Sequence, residues 1–201
     1  VLSGPADWRP ALVLSGLSGA LLLAPPAWRA ALLYDRSAVV AGQWWRLFSA
    51  NFLHLGVWHW LLNVLSLVLL ALLCPERASA AAWAARILAI GSGTCLGLYL
   101  GSPQIASYVG MSGMIYGLFL LGLGRQAIQG DRIAIACLVF LAARVGWELH
   151  AGIPHSEEKL IGGHVVPQSH LYGMAAALVY GAGTAAAARI KTQLSSAQQT
   201  R

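Results

Sequence analysis

The groups in this chain that could do chemistry are a few polar side chains set inside apolar sequence. Gly110-Met111-Ser112-Gly113 opens a hydrophobic run that carries Tyr116 one helical turn further on. A serine hydroxyl is a weak nucleophile unless a neighbouring base takes its proton. His170, at the head of the last apolar run, is an imidazole that could take it. His54, His59 and Asn63 bunch at the start of an earlier run, and the His59–Asn63 spacing puts that pair on one helix face. Acyl transfer also needs donors for the developing oxyanion, and a serine that starts a helix has free backbone N–H groups beside it. His59 and Asn63 could add side-chain donors. Each group has a plainer reading too: asparagine as glue between helices, serine between glycines as a site of close approach, histidine as a snorkelling interface residue.

The acid of a three-residue relay is missing from this reading. Asp7, Asp35 and Asp131 fall at or beyond the ends of apolar runs. Glu148 lies in the outer half of one, but Arg144, one turn earlier, is its obvious partner, so the pair is assigned a structural role. What remains is a Ser-His dyad, Ser112 with His170. His150, His155 and His164 accompany Glu157 and Glu158 in a Gly-rich loop without a tight ligand spacing such as HExxH, so no metal or other cofactor is expected. Cys74, Cys95 and Cys137 show no CxxC spacing and read as inert buried thiols.

The elements that must position these groups are membrane helices. With 58% hydrophobic residues, 10% charged residues and a mean hydropathy of +0.65, the chain is far more apolar than a soluble domain. The formal charge of +6 comes from basic residues scattered between apolar runs, which argues for topology signals and against a nucleic-acid surface. Six apolar segments emerge, at 10–30, 55–74, 84–101, 111–125, 132–149 and 167–188. The fold class expected is all-α, a polytopic membrane bundle in one domain over 1–190, followed by a polar, disordered tail at 191–201. Basic residues concentrate on the side of Arg9, Arg77, Arg86, Arg125, Arg132 and Arg189, so both termini are expected in the cytoplasm. The first run reads as a retained span rather than a cleavable leader. The 31–54 loop, with Trp44, Trp45, Arg46, Phe48 and Phe52, suits the membrane interface.

The fourth segment is too short. From Ser112 to Arg125 a helix rises roughly 20 Å, against a hydrocarbon core of about 30 Å. If Arg125 marks the water boundary, Ser112 lies within the bilayer and needs a hydrogen-bonding partner or trapped water. Gly113 and Gly117 make a small-residue seam, and His170, Gly173, Ala177 and Gly181 make a matching stripe on the last segment. Packing the two seams brings His170 near Ser112. The difficulty is depth: His170 to Arg189 rises about 27 Å, so the groups match in level only if the last helix tilts or its end leaves the lipid.

On Trp45-Arg46, His54…His59…Asn63, Gly110-x-Ser112-Gly113 with Tyr116, and His170-x-x-Gly173, the chain resembles the rhomboid intramembrane serine proteases. The resemblance implies a six-transmembrane-helix bundle with a short fourth helix, Ser112 as nucleophile, His170 as general base, His59 and Asn63 as oxyanion donors, and Tyr116 packed on the histidine. His54, Gly110, Gly113 and Gly173 would support them. It also implies a bacterial inner-membrane location, a water-filled cavity open to the periplasm, and single-span membrane proteins as substrates. Pro75-Glu76-Arg77 departs from the Gly-rich turn of many rhomboids. Trp147-Glu148 and the Val165-Val166-Pro-Gln-Ser-His170 lead-in are similar to the rhombosortase branch, which implies substrates with a Gly-Gly C-terminal anchor. The alternative expectation is a non-catalytic rhomboid-like protein that binds or escorts membrane clients.

Overall fold

The computed structural model of the chain describes residues 6–199. All six apolar segments are helical, with breaks where sequence chemistry demands them. Helix α1 (Arg9–Leu22) starts with proline in its first turn and stops before Pro25-Pro26, from which α2 (Pro26–Leu32) restarts. The expected first segment of 10–30 is therefore two helices. A two-residue strand β1 (Tyr34–Asp35) follows and pairs antiparallel with β2 (Ser107–Tyr108), Tyr34 opposite Tyr108, and among the described residues the regular structure is otherwise helical. Asp35 then caps α3 (Arg36–Val40), accepting from the Ala38 amide at 2.9 Å.

The 31–54 loop is ordered in a way its composition did not reveal. It contains α4 (Arg46–Ser49) and a 3-10 turn (Ala50–Phe52), which bend by 91° into α5 (Val57–Leu73). Buried Arg46 donates to the carbonyls of Ala30 and Leu33 at 2.8 and 2.7 Å, and Trp45 Nε1 donates to Ala31. These bonds satisfy the open end of α2 and anchor the loop to it.

Helix α6 (Ala80–Gly101) is capped by Ser79, α7 (Ser112–Ile128) follows β2, and α8 (Arg132–Ala151) is capped by Asp131. Short α9 (His155–Ile161) closes with Gly162 at φ +91°, and α10 (Pro167–Gln199) completes the bundle. Among the described residues α6, α8 and α10 are long and apolar enough to cross a membrane, and the bent α4–α5 unit would make a fourth. Helices α1 and α7, with 14 and 17 residues, rise only about 21 and 26 Å. Six apolar segments thus translate into three or four full-length candidates plus two short helices.

Many of the large apolar side chains point outward. Leu12, Leu65, Val139, Phe140, Leu178 and Val179 are exposed, while Arg86, Asn51, Thr94, His54 and Glu148 are buried. Such an inside-out distribution suits lipid as solvent, because an apolar belt in contact with lipid needs no protein cover.

Helix α10 packs chiefly on α7 and α6. A Cβ added to Gly173 would lie 1.8 Å from the Gly113 carbonyl oxygen, and one on Gly117 would lie 2.4 Å from the Gly173 carbonyl oxygen. The two small-residue seams therefore meet backbone to backbone. The polar stretch 191–199 continues α10 as helix, against the expected disorder, while residues 200 and 201 of that tail lie outside the described residues. Alanine, leucine, lysine and glutamine carry strong helix propensity once the preceding turns have nucleated the helix.

Candidate active site

The depth mismatch between Ser112 and His170 does not arise in the folded chain. Helix α10 runs for 33 residues, about 50 Å, so its far end emerges well past any bilayer-wide slab. At its near end the Gly113–Gly173 contact sets the level, and His170 Nε2 lies 3.0 Å from Ser112 Oγ. Tyr116, one turn below Ser112, stacks flat on the imidazole, with ring centroids 4.3 Å apart and planes inclined by 5°. A stack of this kind removes the ring's freedom to rotate away from the hydroxyl.

Ser112 is the first residue of α7, so the amides of that turn have no carbonyl of their own helix to bind. Gly110, just before it, holds φ at +139°, a backbone setting that other residues rarely adopt. Its carbonyl accepts from Tyr108 Oη at 2.7 Å and its amide donates to Ala50, which aims the chain into α7. A side chain at Gly110 would also meet His59, whose Cε1 is 3.0 Å from the Cβ position.

His59 Nδ1 accepts from the Leu55 amide at 3.3 Å, which leaves the proton of a neutral ring on Nε2. Asn63 is buried and spends one amide proton on the His59 carbonyl at 2.8 Å, retaining the other. Both residues line a cavity of about 120 Å³ together with Ser112, Tyr116, Glu148 and His170. His54 is not part of that lining. It packs edge-on against His59 at 5.0 Å between centroids and borders a separate cavity of about 420 Å³ with Arg29, Tyr108 and His164. Gly113 and Gly173 form the helix crossing directly beneath the serine.

Glu148 has a second partner besides the Arg144 expected from the sequence spacing. Arg144 Nε does donate to Glu148 Oε1, one turn along α8. The other carboxylate oxygen, Oε2, lies 2.7 Å from His170 Nδ1, and the carboxylate is 2% exposed. Arg144 reaches further, donating to both oxygens of Glu157 on α9 at 3.1 Å. Sequence spacing could not reveal the link, since 22 residues and a helix change separate Glu148 from His170. The available signal was a lone carboxylate in the outer half of a span, at the level where His170 enters the next.

His155 and His164 both face Glu158, at 3.4 and 3.0 Å, on the exposed side of α9. Hydrogen bonding to His164 lowers the Glu158 carboxyl below its ordinary value.

A serine hydroxyl on an imidazole, within reach of helix N-terminal amides and two further donors, is competent for acyl transfer. The family model described as "Rhomboid domain" matches residues 41–187. The chain is also similar to "Putative rhomboid protease YdcA" of Bacillus subtilis (strain 168), with 34% identity over 94 residues, 46% of this chain and 46% of that protein. The matched region thus spans less than half of that relative's length.

Proposed function

Because the chain belongs to the rhomboid family, we propose that it is an intramembrane serine endopeptidase that cuts single-span membrane proteins near the outer membrane surface. The observation that carries this reading is the 3.0 Å approach of His170 Nε2 to Ser112 Oγ, made by side chains 58 residues apart. Ser112 Oγ attacks the scissile carbonyl while His170 Nε2 takes its proton. The oxyanion that forms is held by the free amides at the start of α7, by His59 Nε2–H and by the remaining Asn63 amide proton. His170 then returns the proton to the leaving amine, and water, activated by the same imidazole, releases the acyl group.

The active site faces the periplasm in this reading, with both termini in the cytoplasm of a bacterial inner membrane and six membrane segments, α1 and α7 being short ones. The basic residues support this orientation. Arg86 and Arg125 both bind Glu76 at the end of the bundle opposite Ser112, where a positive-inside bias places the cytoplasm. The small cavity beside the serine supports substrates with small residues at the cleaved bond, as a rhombosortase-like Gly-Gly anchor would supply. No metal takes part in the scheme.

The test is cleavage in detergent by the purified full chain of a single-span substrate whose hydrophobic helix follows Gly-Gly and precedes a basic tail. The Ser112→Ala and His170→Ala variants are each expected to lose about a thousandfold or more. Wild-type cleavage of the Gly-Gly substrate but not of a Val-Val version supports the specificity. Equal cleavage by wild type and Ser112→Ala would overturn the nucleophile. Folded protein that binds the substrate and leaves it intact would instead favour a non-catalytic escort.

A further inference from the structure

We infer that Glu148 is a positioning residue of the site, the third member of a Ser112–His170–Glu148 relay that holds His170 in the tautomer with its proton on Nδ1. The inference rests on the reading of Ser112 and His170 as a nucleophile and its base.

The geometry is specific on three counts. Glu148 Oε2 lies 2.7 Å from His170 Nδ1, on the far side of the ring from Ser112, so the imidazole is bracketed by carboxylate and hydroxyl. The carboxylate is 2% exposed and His170 is 5% exposed, so the contact between the two is shielded from water. Oε1 is bound by Arg144, which leaves Oε2 as the atom turned to the imidazole. A carboxylate that served only its i,i+4 arginine would have no need to turn its second oxygen onto a buried ring.

The chemistry follows from proton accounting. A carboxylate only accepts, so Nδ1 must carry the proton and donate it to Oε2. Nε2 is then the acceptor that faces the Ser112 hydroxyl, the form a general base requires. When Ser112 attacks, its proton moves to Nε2, and the imidazolium that results is stabilised by the Glu148 charge. The other charged or titratable groups around the pair are Tyr116 on α7, Arg144 on α8, Glu157 on α9 and His59 on α5, and all of them line the same cavity. Through Arg144, which also binds Glu157, the carboxylate is tied to α9, the short helix over the site.

The decisive variant is Glu148→Gln, because it keeps size and hydrogen bonding but reverses one donor. Arg144 Nε can only donate, so the new amide oxygen must turn to it and the NH2 group to His170 Nδ1. Nδ1 then becomes the acceptor, and a proton on Nε2 confronts the serine. Fluorophosphonate labelling of Ser112 in the detergent-solubilised full chain is expected to slow by about a thousandfold or more, as much as for Glu148→Ala or more. Glu148→Asp, which keeps the acceptor, is expected to recover at least ~10-fold over Gln. A structural ion pair would give the opposite order, with the isosteric Gln milder than Ala.

A second readout needs no enzymatic activity. In protein labelled with 15N-histidine, with His170→Ala used to assign the signals, the ring is expected to be protonated on Nδ1 in wild type and on Nε2 in Glu148→Gln. An Nε2 proton in wild type, or labelling of Glu148→Gln within about threefold of wild type, would overturn the inference. Wild type that shows the Nδ1 tautomer but neither labels nor cleaves would instead sink the protease reading while leaving the Glu148 contact standing.

Discussion

Ser112 and His170 are separated by 58 residues, yet what makes them a candidate pair is local: a ring held flat by Tyr116 and bonded at both nitrogens. Orientation, more than proximity, is what Tyr116 contributes. Its hydroxyl has no part in the stack, so Tyr116→Phe is expected to stay within about threefold of wild type in labelling rate. Tyr116→Ala frees the ring and is expected to cost about a hundredfold, since a small misplacement of a reacting group weighs heavily on rate. Thermal unfolding of both variants separates misorientation from loss of fold. Equal rates for Phe and Ala would show that the stack does not position the imidazole.

The crossing of α7 and α10 is the contact on which the serine–histidine distance depends. At Gly173 the neighbouring atoms are backbone, so nothing can rotate aside to make room for a side chain. Gly173→Ala is therefore expected to push the helices apart, lower stability by about 1–3 kcal/mol and lengthen the Ser112–His170 approach. Gly146 on α8 has open space at its Cβ position and serves as the control. Gly146→Ala is expected to leave the unfolding temperature in detergent unchanged or slightly raised. A Gly173→Ala protein as stable and as reactive as wild type would show that the seam is looser than it looks.

The bundle as a whole is held at its other end by Glu76, which joins three helices. Arg86 at the start of α6 donates to it at 2.9 and 2.8 Å, and Arg125 near the end of α7 binds the same carboxylate, which sits just past α5. Burial pushes the Glu76 carboxyl up, but the hydrogen bonds and charge of Arg86, joined by Arg125, more than offset this and hold it below its ordinary value. A carboxyl depressed in the folded state contributes stability that is present above its unfolded value and lost as pH falls through the folded one. Glu76→Gln is thus expected to unfold at a lower temperature than wild type near pH 7, with the gap closing as pH falls through and below the ordinary glutamate value of about 4.3. A gap that stays constant over that range would mean that the charge of Glu76 is not what joins the helices. The Pro75-Glu76-Arg77 turn, a departure from many rhomboids at the sequence level, is in the fold the junction where three helix ends meet.

Composition alone was enough to determine a membrane protein, and helix periodicity enough to show that His59 and Asn63 share a face and that glycine seams run along two segments. Those conclusions depend on short-range patterns and on solvent preference, which any stretch of chain carries in itself. The short fourth helix with its serine was legible for the same reason, since length and the first charge are local facts. The depth of His170, the break of the first segment at Pro25-Pro26 into two helices, and the Arg46 bonds that order the 31–54 loop depend on what packs against what. Glu148 is the clearest case. Along the sequence its nearest partner is Arg144, and that partnership is real, but a carboxylate has two oxygens and only the packing of α8 beside α10 decides where the second one goes.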